Sequence, residues 1–179
     1  MGTWFGAWAA WMYGPWYAEA LYAVLKEQLT QAWPALGPDA RLVGIASGGA
    51  WVAKRLHREW GLAGEPGVIS SSMHRDDFAQ RGLAASSMQT LLPFDVDGAT
   101  VVLVDDVLHT GRTLRAVINE LFDYGRPARV ALAVLVDRGE RQLPVAADWV
   151  AEVRELPSDT VLSLSQTDDG QFTFEVQAA

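Results

Sequence analysis

Apolar and polar positions follow two alternating periods along this chain. Over residues 16–33, Leu21, Leu25 and Leu29 are four residues apart, which predicts an amphipathic helix. Residues 100–107 contain an unbroken apolar run, which is typical of a central strand buried on both faces. The same patterns predict helices over 50–62 and 112–125, strands over 41–47, 65–72, 129–139 and 147–153, and a closing hairpin over 159–176. Because strands alternate with helices, we expect an α/β domain with a mostly parallel sheet.

Two segments stand apart from this pattern. Residues 73–93 lack a clean period and are rich in small polar side chains, which predicts a long, partly mobile loop. Residues 1–17 carry no charged side chain, and their tryptophans recur at helical spacing. This Trp-rich segment is either an extra packing or oligomer-contact segment, a non-native start, or a membrane-contacting stretch. We treat it as separate from a single domain over 18–179.

Composition and charge narrow the class of protein. Hydrophobic residues make up 50% and charged residues 20% of the 179 positions, as in an ordinary globular domain. The absence of cysteine excludes disulfides, thiolate metal sites and cysteine nucleophiles, and it fits a cytoplasmic protein. The net charge of −8 argues against general nucleic-acid binding as the main activity. Gly14, Pro15 and Glu19 interrupt the apolar start, so we expect neither a membrane span nor a secretory signal.

The candidate chemistry lies in the stretch Val-Val-Leu-Val-Asp-Asp-Val-Leu-His-Thr-Gly-Arg-Thr, residues 101–113. Asp105 and Asp106 lie near the end of the predicted central strand, where ligands bind in open parallel sheets. Residues 110–113 then open a helix whose free N–H groups and dipole favour a phosphate, and Gly111 lets the backbone approach closely. Carboxylates beside an anion site suit a sugar phosphate with vicinal hydroxyls. The alternative is an Asp pair that merely caps the next helix.

This stretch resembles the phosphoribosyl pyrophosphate (PRPP) motif of type I phosphoribosyltransferases. Three further segments, 74–78, 92–98 and 121–148, resemble the PyrR family, which combines pyrimidine operon regulation with uracil phosphoribosyltransferase activity. Residues 42–56 are similar to that family's pyrophosphate loop and following helix. The resemblance spans about residues 41–150 and implies a type I phosphoribosyltransferase fold. That fold has a central, mostly parallel sheet flanked by helices, with a flexible loop and a small hood.

The resemblance implies the reaction of uracil with PRPP to give UMP and diphosphate. Mg²⁺ would be bound through PRPP, with no dedicated protein metal site. Asp105 and Asp106 would hold the ribose hydroxyls, and Arg75 would contact the departing diphosphate, so these three are the implied catalytic residues. The implied PRPP-binding residues are Ser47, Gly48, Gly49, Asp105, Asp106, His109, Thr110, Gly111, Arg112 and Thr113, and the implied base-binding residues are Val136, Asp137 and Arg138.

Each of these implied roles has a simpler alternative. Arg75 is otherwise a solvated loop arginine, and His109 a polar loop residue rather than a ligand contact or a tuner of loop charge. Asp137 and Arg138 otherwise form a structural ion pair. The sequence also departs from the family pattern: Gly48 stands where an arginine is common, and the usual Gly-Lys-Asn segment after residue 148 is absent.

The function therefore has three interpretations. The favoured one is a uracil phosphoribosyltransferase. The second is a UMP-sensing, RNA-binding regulator of pyrimidine genes with weak or no catalysis, and the third is a transferase for another nucleobase. The family further implies a homodimer or higher homo-oligomer. Pyrimidine leader RNA is a possible partner, although the acidic composition and the missing lysine segment argue against it.

Overall fold

The computed structural model describes residues 15–70 and 88–178, which form a parallel sheet, flanking helices and a separate hairpin. The helices are α1 (Pro15–Ala32), α2 (Gly48–Glu59) and α3 (Arg112–Tyr124), with a short 3-10 helix at Trp33–Leu36. The strands are β1 (Ala40–Ile45), β2 (Gly67–Ile69), β3 (Thr100–Leu108), β4 (Arg129–Asp137), β5 (Trp149–Val153), β6 (Thr160–Gln166) and β7 (Phe172–Ala178). The antiparallel pair β6–β7 is called the hood below.

Strands β1 to β5 form one parallel sheet in the order β2-β1-β3-β4-β5. The predicted central strand is confirmed, because β3 has two strands on either side. Val104 of β3 is level with Gly44 of β1 and with Ala133 of β4. Since all five strands run in the same direction, their carboxyl ends share one edge of the sheet.

Successive residues of β3 face opposite layers of the core. Val102 and Val104 pack among buried residues of α1, α2 and the hood. Val101 and Leu103 pack on the other side, against the buried face of α3. The three leucines that are four residues apart in α1 are all buried in the first layer, as their spacing predicts. The apolar run of β3 is therefore unbroken because both of its faces are covered.

Four strands, β1, β2, β4 and β5, are shorter than predicted, and the ends of β2 and β4 have clear local causes. β2 ends at Ile69 because the next amide, that of Ser70, donates to Thr90 Oγ1 at 3.0 Å. β4 ends at Asp137 because Gly139 adopts a left-handed φ of 74°, and its N–H donates back to Asp137 Oδ1 at 2.8 Å. A left-handed residue cannot continue a strand, so the chain turns at this point.

The amino-terminal helix belongs to the packed domain. α1 begins at Pro15, so the domain boundary expected after residue 17 lies inside a helix. Tyr17 is buried, with its ring centroid 5.7 Å from that of Phe174 in β7. Most of the Trp-rich segment and most of the predicted 73–93 loop lie outside the described residues. Among the helices that are described, none is long and apolar enough to cross a membrane.

A charged network fastens α1 to α2. Glu59 accepts hydrogen bonds from Lys26 Nζ at 2.7 Å, from Tyr22 OH at 2.8 Å and from Arg55 Nε at 3.0 Å. Desolvation opposes ionisation of Glu59, but these three donors outweigh it and lower the pKa of Glu59 to about 2. Burial, reinforced by Glu59, raises the pKa of Tyr22, so its hydroxyl remains a donor. The network therefore needs an ionised Glu59.

We expect Glu59→Gln to lower the free energy of unfolding by about 1 kcal/mol at pH 7, after allowing for solvent screening of a partly exposed pair. The folded pKa lies below the ordinary value of 4.5, so this stability is present above pH 4.5 and is lost as the pH falls toward 2. The difference between parent and variant should shrink across that window in denaturant titrations. Glu27→Gln is the control, because Glu27 is an exposed residue of α1 that accepts from Gln31. A difference that stays constant from pH 7 to pH 3 would contradict this role.

Candidate functional site

The predicted site residues meet at the carboxyl edge of the sheet. Ser47 follows β1, Asp105 and Asp106 lie near the end of β3, and Asp137 is the last residue of β4. The register brings the ends of β3 and β4 side by side, with Leu108 opposite Asp137. Three turns that are distant in the sequence therefore surround one location.

The two carboxylates are held in different ways. Asp105 Oδ1 accepts the N–H of Asp106 at 3.0 Å. Asp106 Oδ1 accepts the N–H of Val107 at 3.0 Å, while its Oδ2 accepts the N–H of Leu164 in β6 at 2.8 Å. Neighbouring strand residues point to opposite faces, so the pair presents carboxylates on both sides of β3. The hood thus orients Asp106 directly.

The turn between β1 and α2 lies against these carboxylates. A Cβ added at Gly49 would lie 2.0 Å from the carbonyl oxygen of Val104, and one at Gly48 would lie 2.6 Å from Asp106 Oδ2. Only glycine, which has no Cβ, allows the β1–α2 turn to come this close to β3. The peptide bond between Ala46 and Ser47, just before these glycines, is cis. The predicted pyrophosphate loop and the carboxylate pair are therefore in contact.

The turn between β3 and α3 has the geometry of an anion site. Gly111 has a left-handed φ of 90° at the start of α3. The first turn of α3 contains no acidic residue, so no side chain of that turn offsets the positive end of the helix dipole. Gly111 itself has no side chain to cap the helix, but the N–H of Arg112 donates to Thr110 Oγ1 at 3.3 Å. These features suit the phosphate that the sequence predicted for residues 110–113.

The side chains of the three predicted base-binding residues are engaged within the protein. Val136 lies in the core. Arg138 is 4% exposed, and its guanidinium donates to the carbonyls of Thr160 and Pro157 at 2.6 and 3.1 Å. The expected alternative, an Asp137–Arg138 ion pair, is wrong: Asp137 pairs with Arg141, because Arg138 points into the hood.

Of the two remaining predicted residues, the structure describes His109 but not Arg75. His109 lies in the turn between β3 and α3, and its Nε2 is 3.0 Å from Glu140 Oε2, so its ring contacts a carboxylate within the protein. Arg75 lies outside the described residues, so its role stays a prediction.

Arg141 and Gln142, which contact the turn between β3 and α3, were not among the predicted site residues. The N–H of Gln142 donates to the carbonyl of Thr110 at 3.0 Å, and Arg141 donates to the carbonyl of His109. Both belong to an irregular segment after β4. Since no helical or strand period applies there, their spacing gives no signal of these contacts.

The donor set around the carboxylates fits a metal that arrives with its own ligands. In the described ranges, no group of three or more His, Cys, Asp or Glu residues could hold a metal ion. Asp105 and Asp106 provide two carboxylates, each already accepting a backbone N–H. Such a pair suits Mg²⁺ that keeps phosphate oxygens and waters as ligands.

Comparisons with known proteins agree with this geometry. The Phosphoribosyl transferase domain family matches residues 30–166. A hypoxanthine phosphoribosyltransferase structure from Staphylococcus aureus superposes with a TM-score of 0.59 at 19% identity, covering 80% of this chain and 77% of that one. A purine phosphoribosyltransferase from Pyrococcus horikoshii gives a TM-score of 0.54 at 26% identity, covering 78% and 84%. Fold and site thus define a protein of the type I phosphoribosyltransferase class.

Relatives with higher sequence identity show which family within this class the chain belongs to. A protein of Ralstonia nicotianae named Bifunctional protein PyrR is 53% identical over 161 residues, which are 88% of this chain and 92% of that protein. Proteins of the same name from Pseudomonas aeruginosa and Nitrosococcus oceani are 49% and 44% identical, over 69% and 75% of this chain and 73% and 77% of their own lengths. The chain belongs to the PyrR family of phosphoribosyltransferases, which confirms the resemblance and the fold class that the sequence predicts.

Proposed function

We propose that the protein transfers the phosphoribosyl group of PRPP to uracil, forming UMP and releasing diphosphate. The observation that carries this proposal is the pair Asp105–Asp106 beside the start of α3, in a chain so similar to PyrR proteins. The hypoxanthine and purine transferases share the fold at low identity, so they do not determine the base. Uracil follows from the family to which the chain belongs.

The two carboxylates and the turn between β3 and α3 hold PRPP from two sides. Asp105 and Asp106 accept from the ribose hydroxyls, and the amides of residues 110–113 donate to the 5′-phosphate. The bond from C1′ to the diphosphate oxygen breaks as the bond from C1′ to N1 of uracil forms, and the N1 proton is released to the diphosphate or to solvent. Because positive charge develops on the sugar, the protein acts mainly by positioning the two substrates and by electrostatic stabilisation.

The departing diphosphate lies against the β1–α2 turn in this proposal. The backbone amides of Ser47, Gly48 and Gly49 at the start of α2 would donate to it, and Arg75 adds a positive charge. Mg²⁺ bound with PRPP would supply positive charge to the diphosphate. Asp105 and Asp106, whose oxygens are already fixed by backbone N–H groups, would be the residues nearest to hold waters of that ion.

We place the base beside the end of β4, at Val136, Asp137 and Arg138. Since their side chains are engaged within the protein, these residues shape the site more than they read the base. His109 helps to keep the adjoining turn in place through its contact with Glu140. Pyrimidine leader RNA and a homo-oligomeric state remain predictions from the family.

The experiment that tests the function measures UMP formation by purified protein from uracil, PRPP and Mg²⁺. Hypoxanthine and guanine replace uracil in parallel reactions. We expect turnover with uracil and less than about one-hundredth of that rate with the purines, because a site that hydrogen-bonds one base leaves polar groups unpaired with another. Preferred turnover of a purine would overturn the choice of base. No turnover together with tight UMP binding would favour a nucleotide-sensing regulator instead.

A further inference from the structure

The irregular segment after β4 contacts the turn that precedes α3. We call residues 139–145 the brace and residues 109–112 the phosphate turn. The guanidinium of Arg141 lies between them and donates to four acceptors. The acceptors are the carbonyls of His109, Gly139 and Val145 and the carboxylate of Asp137, at 2.5 to 3.2 Å. One side chain thus connects the end of β4 to the phosphate turn.

Other residues of the brace contact the remaining residues of the phosphate turn. The N–H of Gln142 donates to the carbonyl of Thr110 at 3.0 Å, and its Oε1 accepts from Arg112 Nε at 2.8 Å. A Cβ added at Gly111 would lie 2.6 Å from Val145 Cγ2, so the brace also packs on the glycine. Every residue of the phosphate turn therefore contacts the brace.

Burial strengthens the contacts of Arg141. The side chains of Arg141 and Asp137 are 22% and 15% exposed, so solvent screens their ion pair less than a surface pair. A planar guanidinium can direct donors to several acceptors at once, whereas an ammonium group at the same position cannot match that geometry. Without this residue, the phosphate turn keeps its contacts with Gln142 and Val145 but loses its side-chain connection to Asp137 at the end of β4.

We propose that Arg141 is a positioning residue, which aligns the amides of the phosphate turn from the end of β4 and so sets the affinity for the 5′-phosphate of the ribose. This inference rests on the proposed function and deepens it. Asp137 lies at the proposed base end, and Arg141 connects it to the phosphate end.

The test uses Arg141→Met and Arg141→Lys in the full chain, with ribose 5-phosphate as the calorimetric ligand. We expect Arg141→Met to raise the Kd for ribose 5-phosphate about tenfold, because the charge-assisted hydrogen bonds that align the amides of the phosphate turn are lost. Arg141→Lys should raise this Kd less, because lysine keeps the positive charge. In the transferase assay the KM for PRPP should rise in parallel, while the KM for uracil stays within about threefold. Arg129→Met is the control, because Arg129 is exposed and pairs with Asp148 at 3.5 Å at the opposite end of β4.

Two results would overturn the inference. One is a ribose 5-phosphate Kd for Arg141→Met within about twofold of the parent value, and the other is an equal rise in both KM values. If Arg141→Met does not fold by circular dichroism, Arg141→Lys alone tests the inference, with an expected rise of about threefold in Kd, because an ammonium group cannot reach all four acceptors. Failure of the parent protein to bind ribose 5-phosphate would overturn the proposed function itself. Binding by the parent that Arg141 variants leave unchanged would overturn the positioning role alone.

Discussion

Replacing Asp105 and Asp106 together by asparagine is expected to lower kcat/KM for PRPP by about 10²–10³-fold. Hydrogen bonds to charged groups contribute about 1.5–3 kcal/mol each, and the double variant removes both negative charges from the ribose site. Asparagine has nearly the same shape, so the sheet should still form. Initial rates of UMP formation over a range of PRPP concentrations measure the effect.

The single variants separate the roles of the two carboxylates. Asp106 uses both oxygens to accept backbone N–H groups, from Val107 and Leu164. An asparagine has one acceptor oxygen, so Asp106→Asn should also lower the free energy of unfolding by about 1–2 kcal/mol. Asp123→Asn, on the exposed side of α3, is the control and should leave the kinetics unchanged. Parent-like kinetics in the double variant would exclude the proposed ribose site.

Gly49→Ala is expected to destabilise the fold by about 3 kcal/mol or more, and Gly48→Ala to act on activity instead. At Gly49 the new Cβ would lie 2.0 Å from the backbone oxygen of Val104, which cannot move without displacing β3. At Gly48 it would meet the carboxylate of Asp106, a side chain that can rotate away. Thermal unfolding and PRPP kinetics on both variants distinguish these effects.

The two variants should differ in which property they lose, stability in one case and activity in the other. Gly48→Ala should keep a melting temperature within a few degrees of the parent and lose about tenfold or more in kcat/KM, because Asp106 is displaced from the amide of Leu164. If Gly49→Ala melts like the parent, the close approach of the β1–α2 turn to β3 is not a requirement of the fold. If Gly48→Ala keeps full activity, the orientation of Asp106 does not control turnover.

The periodic elements were predictable because their signals are local. The apolar run of β3 is visible in a few consecutive residues, and the leucine spacing of α1 reports its buried face directly. The parallel sheet then places Ser47, Asp105 and Asp137 at one edge by geometry alone. This much of the site follows from strand order and chain direction.

The contacts that orient the site were not predictable in the same way. Leu164 holds Asp106 through a backbone N–H, which any non-proline residue provides, so the identity of the side chain carries no signal. Arg138 and Arg141 are three residues apart in an irregular segment, and only the turn at Gly139 decides which of them pairs with Asp137. Such choices depend on tertiary packing rather than on local pattern.

The attachment of α1 to the hood affects the order in which the protein can assemble. Glu19 Oε1 accepts the N–H of Phe172 at 2.7 Å, a contact between residues 153 positions apart. Contacts of such separation form late, because the loop between them must first be ordered. We therefore expect the sheet to form before the hood docks. Since the hood supplies the amide that orients Asp106, we expect Asp106, rather than Asp105, to be the carboxylate that loses its orientation when the hood detaches.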